Sequence, residues 1–388
     1  MKSAATDHAG GLVLESTGDD TMQRDVEALK ETALRLLSKL AEAHGAPGSE
    51  NQVRRIFREE VRGEIQTDGT GSIIHVKKGS SDAPRIMLTA HMDEVGFAVQ
   101  AVTKRGMLKL TSLGGWWNHT LPGSRVRILT GNGTEIVGAI GAKPVHFLTE
   151  AERDKVMKLD DMFVDVGASD ADEVRDRFGI RLGDPVVPDS PFTRMHNPDY
   201  LLCKAFDNRA GMALTIQVLQ MLEGMEHPNT VVGVGTVQEE LGMRGAETAV
   251  HIAKPDAAIV FEGAPADDLP GSIEEEWQGA VGRGVQIRIM DPSAIMNRKL
   301  TRYAIETAEK HEIPHQASVR KAGATDARPI QRYGSGVPTI VLGVPSRYVH
   351  THNGIIHLGD YLSVLELALR LLSGLDRATV EGFITFED

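Results

Sequence analysis

Thr230-Val-Val-Gly-Val-Gly-Thr-Val-Gln-Glu-Glu-Leu-Gly-Met-Arg-Gly245 is the stretch on which the reading of this chain turns. The apolar run from Thr230 to Val237 reads as a buried strand, and Glu239 and Glu240 stand just beyond its end. Two adjacent carboxylates in that position repel each other unless a cation neutralises one of them. A metal ion would take one Glu as a ligand and leave its neighbour free to move protons. A solvated acidic turn is the plainer alternative, and the surrounding sequence decides between them.

Strand and helix patterns alternate on both sides of this stretch. Downstream, a helix is expected at Arg244–Ala253, strands at Ala257–Phe261 and Val285–Met290, and a helix at Ala294–His311. Strands near His315–Val319 and Thr339–Gly343 and a helix at Gly359–Leu375 complete that half. Upstream, a helix at Asn208–Glu223 follows a strand at Leu201–Phe206. Earlier still, two helices between Met22 and Val61 precede short strands near 64–67 and 72–78 and an apolar strand at Arg85–Ala90. Such alternation predicts an α/β fold, a three-layer sandwich with a largely parallel mixed sheet. Residues 94–194 differ, with short β-like runs, a hairpin turn at Gly131-Asn-Gly133 and one helical segment at Asp170–Phe178. They are expected to form an inserted β-rich, barrel-like domain of roughly 100 residues between catalytic segments 22–93 and 195–388. Residues 1–21 read as a flexible tail.

Composition narrows the function. With 388 residues, 41% hydrophobic and 25% charged, the chain can bury a large core. A formal charge of -12 argues against a nucleic-acid partner. No apolar stretch reaches the ~18 residues that span a bilayer, so no membrane partner is expected. Residues 1–20 lack the apolar core of a signal peptide, and the single cysteine, Cys203, fits a reducing cytoplasm. Within Tyr200-Leu-Leu-Cys-Lys-Ala-Phe206, Cys203 is better explained as a small buried strand residue than as a nucleophile.

Metal-ligand residue types recur just past successive apolar strands. His91 follows Ile86–Ala90, Asp207 follows Leu201–Phe206, Glu262 follows Ala257–Phe261, and His350 follows the strand around Ile340–Leu342. Ligands of open α/β sheets bind in the crevice outside the carboxyl ends of the strands. Together with Glu239 and Glu240, two His and four carboxylates make a pair of metal ions the economical explanation. One bridging carboxylate, a His and a further carboxylate for each ion would use five of these six groups and leave one Glu free.

These residues sit in motifs that resemble a family, the co-catalytic dimetal aminopeptidases grouped with glutamyl aminopeptidases and tetrahedral TET peptidases. The matching segments are Ala90-His-Met-Asp-Glu-Val-Gly96, Ala205-Phe-Asp-Asn-Arg-Ala-Gly211, Val237-Gln-Glu-Glu-Leu-Gly-Met-Arg-Gly-Ala246, Gly323-Ala-Thr-Asp-Ala327 and Pro345-Ser-Arg-Tyr-Val-His350. The likeness runs from about Leu29 to Leu375 and includes Gly114-Gly115 and Lys143-Pro-Val-His146. It implies that His91, Asp207 and Glu262 hold one ion and Asp207, Glu240 and His350 the other, with Asp207 bridging. Glu239 would be the general acid/base, Asp93 would orient His91, and the Asp207–Asn208 bond would be cis. His352 and His357 lie close enough in sequence to His350 to compete for its role. The family more often has Asp at the position of Glu262 and Glu at that of Gly354, and residues 1–21 have no counterpart in it.

The function so implied is removal of N-terminal amino acids from peptides, with Zn or Co foremost as the metal and Mn next. Two ions roughly 3.5–4 Å apart would activate a water and polarise the scissile carbonyl. Glu239 would carry the proton from that water to the leaving amine. The inserted domain would mediate dimers that assemble into a tetrahedral dodecamer, and Trp116, Trp117 and His119 fit either its core or an interface. A deacylase or carboxypeptidase on the same scaffold and a non-catalytic assembly protein are the competing readings. The endoglucanase label that some members carry would need two carboxylates flanking a sugar and no metal.

Overall fold

The runs centred on Thr230–Val237 assemble into a 12-stranded mixed sheet in a computed structural model that describes residues 19–386. Its centre is parallel, with Thr230–Thr236, Arg85–His91, Ala257–Pro265 and Thr339–Arg347 side by side in that order. These strands are buried along nearly their whole length because helices cover both faces, which is why they read as continuous apolar runs. Antiparallel strands close the edges, Ile65–Thr67 and Ile73–Lys78 on one side and Gly354–His357, Tyr200–Cys203 and Thr193–Arg194 on the other. Val285–Asp291 pairs antiparallel with Thr339–Arg347 and parallel with His315–Val319.

Helices Asp19–Glu42, Asn51–Glu60, Phe206–Met221, Arg298–Lys310 and Leu358–Gly374 pack one face, with Leu37, Phe57, Leu214, Leu300 and Leu365 in its core. Arg244–Ala253 and Ala327–Gln331 pack the other over Val232, Val234 and Val260. The expected three-layer α/β sandwich is therefore present. A buried cation ties the layers together. Arg209 donates to the carbonyls of Leu40, Ala43 and Gly45, which satisfies acceptors left open at the end of Asp19–Glu42. Its charge meets Glu94 at 3.1 Å, and Lys204 meets the same carboxylate at 2.6 Å.

Six strands between Gly96 and Pro188 close into a barrel with its own core of Phe97, Val126, Ile140, Val164 and Val186. The hairpin Arg125–Leu129/Glu135–Gly141 turns through Gly131–Gly133, with Gly133 at φ 85 where a Cβ would be strained. Trp116 stacks on Phe97 at 5.0 Å, whereas Trp117 is 65% exposed.

Some boundaries differ from the sequence reading. The helix expected from Ala294 starts at Arg298, because Asp291 accepts the N–H groups of Ser293 and Ala294 in a tight turn and Asn297 caps the helix. The strand expected through Phe206 stops at Cys203, because Ala205 turns to φ 59 and launches the following helix. Within the inserted block, the helical segment is a π-helical turn, Glu173–Arg177. A last helix, Arg377–Phe383, is capped by Asp376. The tail expected over residues 1–21 falls outside the described residues, except for its last three, which begin Asp19–Glu42. No helix among the described residues is long and apolar enough to cross a membrane.

Candidate active site

The ends of the parallel strands converge on a cavity of about 560 Å³. His91 ends its strand opposite Thr236, and Glu262 lies opposite Gly343. Beyond Thr236 the chain turns sharply, with Gln238 at φ 54 and Met243 at φ 58 around the single 3-10 turn Glu239–Leu241. Asp207 enters at the start of its helix, where the Asp207–Asn208 bond is cis, as the resemblance implies. Asn208 is wholly buried and donates to the Phe261 carbonyl at 2.8 Å, which fixes the Asp207 turn against the strand bearing Glu262. Gly263 permits this approach, since a Cβ there would lie 2.5 Å from the Asp207 Cα.

His91 Nε2 lies 3.1 Å from Asp207, 3.5 Å from Glu262 and 3.9 Å from Glu239. His350 Nε2 lies 3.2 Å from Glu240 and 3.5 Å from the second oxygen of Asp207. The groups His91/Asp207/Glu262 and Asp207/Glu240/His350 each place ligand atoms within 4.8 Å of one another and could hold a metal ion. A third combination, His91/Glu239/Glu240, meets the same distance. His352 and His357 are elsewhere. His352 is buried against Trp116, and His357 caps the helix that begins at Leu358. Gly354 pairs with Cys203 in the sheet, and a Cβ there would lie 3.3 Å from the Cys203 carbonyl.

The electrostatics fit a cation. Nδ1 of His91 lies 3.0 Å from the Asp93 carbonyl, to which only an N–H can bond. In the neutral ring Nε2 then carries a lone pair aimed at carboxylates, an arrangement that a bound cation resolves. Glu262 Oε1 is buried without a hydrogen-bond partner. The side chains shift one another strongly. Burial opposes ionisation of Asp207, yet the hydrogen bonds to His350 and His91 outweigh it and hold Asp207 below the usual carboxylate range. Burial likewise opposes protonation of His350, but Asp207 and Glu240 raise it to about 11. Burial pushes Glu239 well above the usual range; His91 works against this, and the charges of Glu240, Asp326 and Glu262 add to it.

Supporting groups surround these side chains, and Glu50 among them was not singled out in the sequence. One oxygen of the Asp93 carboxylate lies 3.6 Å from His91 Nδ1 and also accepts the backbone N–H of Glu239 at 3.0 Å, while the other accepts that of Glu240 at 3.1 Å. Glu50, also buried, accepts the N–H of Gln238 at 3.3 Å and that of Gly48 at 2.7 Å. Asp326, quoted above only within a motif, is buried and takes a 2.5 Å hydrogen bond from Thr236. The one available signal for Glu50 was a charged residue two positions after the Pro47-Gly48 break.

Residues 71–367 match the M42 glutamyl aminopeptidase family. This chain belongs to that family. Among its relatives, the lysyl aminopeptidase of Pyrococcus furiosus is 34% identical over 352 residues, covering 88% of this chain and 96% of the relative. A TET aminopeptidase from the marine sediment archaeon Thaumarchaeota archaeon SCGC AB-539-E09 superimposes with a TM-score of 0.86 at 39% identity, covering 91% of this chain and 99% of that one. The TET1 peptidase of Pyrococcus horikoshii, described as assembling into a tetrahedron or a large octahedral shell, gives a TM-score of 0.79 at 29% identity, covering 88% and 100%.

Proposed function

We propose that this M42 protein is a metal-dependent aminopeptidase that releases N-terminal amino acids from peptides. The observation that carries the reading is the arrangement around Asp207, whose two oxygens face His91 and His350 separately while Glu239 stands beside them. His91, Asp207 and Glu262 would hold one divalent ion and Asp207, Glu240 and His350 the second, with Zn, Co or Mn as the candidates. Bound there, the ions would lower the pKa of a water and polarise the scissile carbonyl. Glu239 accepts the proton of the attacking water and passes it to the leaving amine. Its burial supports this role, because a carboxylate with raised proton affinity holds the proton between the two transfers. Asp93 and Glu50 keep the Glu239 turn in place through its backbone N–H groups.

Self-association belongs to the same reading. The barrel exposes Trp117 at 65% and Phe147 at 71%, large side chains suited to a subunit interface. Dimers through this domain, built into a tetrahedral dodecamer, would be in keeping with the TET1 structures described as a dodecamer and as a tetrahedron. The single, free Cys203 is consistent with a cytoplasmic setting. A free peptide and its N-acetylated twin test the activity. Metal-loaded protein should shorten only the free peptide, one residue at a time from the N-terminus, as followed by mass spectrometry. Shortening from the other end, or loss of the acetyl group alone, would replace this reading with a carboxypeptidase or a deacylase.

A further inference from the structure

The active-site cavity is lined by Arg320, which donates to the Pro265 carbonyl at 3.2 Å, and by Gly242 and Met243 just beyond Glu239. Gly242 and Met243 also line a second cavity of about 490 Å³, so the turn after Glu239 borders both. Gly242 is exposed at φ 106, and a Cβ built on it would meet nothing within 4 Å. The border between the cavities is open at this point. Arg328, Arg332, His251, Tyr333 and Glu247 line the second cavity. His251 meets Tyr333 edge-on at 5.0 Å, which gives it an aromatic wall. Arg328 and Arg332 stand four residues apart, in the short helix Ala327–Gln331 and at its C-cap, a spacing that puts both on one face. Both are exposed, and neither guanidinium forms a hydrogen bond or an ion pair among the described residues. Glu247 shares the cavity but pairs with neither.

Like charges at this spacing repel one another on a helix, and an anion held between them would remove that cost. A guanidinium presents N–H donors in a planar fork that matches a carboxylate. The path of a departing peptide leads to these two forks. Glu239 passes its proton to the leaving amine, so the released peptide begins beside Glu239. Gly242 and Met243 follow on the same turn, and the cavity with the two arginines adjoins them. We propose that this groove binds the free C-terminal carboxylate of short peptide substrates through Arg328 and Arg332. Short peptides with an unblocked C-terminus are thereby favoured over blocked ones. The proposal rests on the aminopeptidase reading and goes beyond it, since cleavage at the N-terminus does not itself depend on what the far end carries. His251 and Tyr333 offer ring surface to the last side chain of such a peptide.

The test uses metal-loaded full-length protein and one peptide series, from dipeptide to octapeptide, each member with a free or an amidated C-terminus. At the lengths that reach the groove, KM for the free acid should lie about 5- to 30-fold below that for the amide, the range that two exposed ion pairs allow. The contacts act on binding, so kcat should differ little between the two. Added salt should narrow the KM ratio, because the arginines are exposed. Arg328→Gln combined with Arg332→Gln should bring the ratio close to one, and the corresponding pair of Lys substitutions should keep part of it. A merely structural role would move both peptides together and leave the ratio as in wild type, which would overturn the proposal. A preference restored to the amide by a downstream Glu would assign the arginines to acidic side chains and overturn it too. Calorimetric binding of the free-acid and amidated peptides to wild type and the double Gln variant gives a readout that needs no turnover. N-terminal shortening with equal KM for acid and amide at every length would overturn the groove and leave the aminopeptidase intact. Arginine-dependent preference for the acid in binding, without any shortening, would uphold the groove and remove the aminopeptidase reading. Neither preference nor shortening would sink both.

Discussion

The carboxylate of Asp93 accepts the backbone N–H of Glu239 at 3.0 Å, so the residue two places after His91 positions the turn that bears the proposed base. The second oxygen does the same for Glu240 at 3.1 Å. One side chain thus holds two adjacent main-chain donors that the sharp turn after Thr236 leaves unpaired. His91 meets the main chain of the same residue, at its carbonyl. The strand end, the proposed base and the proposed ligand His91 are fixed relative to one another through Asp93.

Asp93→Ala should therefore impair turnover more than metal binding. Misplacing a catalytic group by about 1 Å can cost ~10²-fold, and a fall in kcat of that order is expected. Metal content measured alongside kcat checks it, and Asp93→Asn, which retains one acceptor oxygen, should fall between the two. A loss of metal that accounts for the whole loss of activity would show that Asp93 acts mainly by orienting His91.

Glu239→Gln and Asp207→Ala should separate proton transfer from metal binding. The first removes the proton acceptor and no ligand, so two ions should remain while the rate falls by about 10²–10⁴-fold. The second removes the proposed bridge and should deplete both ions. Elemental analysis with a single-peptide assay distinguishes them, and full activity in the Gln variant would exclude Glu239 as the base.

Glu94→Gln should destabilise the fold without touching the cavity. Glu94 answers two fully buried cations, Lys204 and Arg209, and burial already lowers Lys204 to about 8. Removing the shared anion leaves both unbalanced, at an expected cost of about 3–5 kcal/mol. Thermal unfolding would register this as a clear drop in Tm. An unchanged Tm would mean that water or another carboxylate compensates.

Acid sensitivity should trace in part to His44. This wholly buried ring has no hydrogen-bond partner at either nitrogen, and burial lowers its pKa from 6.5 to about 4. Between those values the unfolded chain binds the proton and the folded one does not, so stability is complete above about pH 6.5 and falls as the pH drops toward 4. At about 1.4 kcal/mol per unit the full effect is roughly 3.5 kcal/mol. In His44→Leu the slope of Tm against pH across this window should be shallower than in wild type. Parallel curves would show that His44 does not contribute.

Much of the sheet was legible in the chain itself. Thr230–Thr236, Arg85–His91 and Ala257–Pro265 are covered on both faces, and such strands must be apolar along their length, which is a local property of sequence. The polar residues at their ends, His91, Glu239, Glu240 and Glu262, are conspicuous for the same reason. The start of the Arg298–Lys310 helix was not legible, because Ala294 and Ile295 have helical spacing and only the Asp291 turn and the pairing of Ala294–Ile295 with Val285–Asp291 exclude them.

By itself, then, the sequence determined which strands are apolar along their length and which residue types stand at their ends, since burial on two faces and ligand chemistry are both written residue by residue. Only the tertiary structure decided that His350 rather than His352 or His357 meets Asp207, that the Asp93 carboxylate serves Glu239 and Glu240, and that Arg320 lines the same cavity as Glu262. These relationships join positions up to more than a hundred residues apart. They depend on how crossovers bring strand ends together and on how much water that packing removes, and neither quantity belongs to any one stretch of chain.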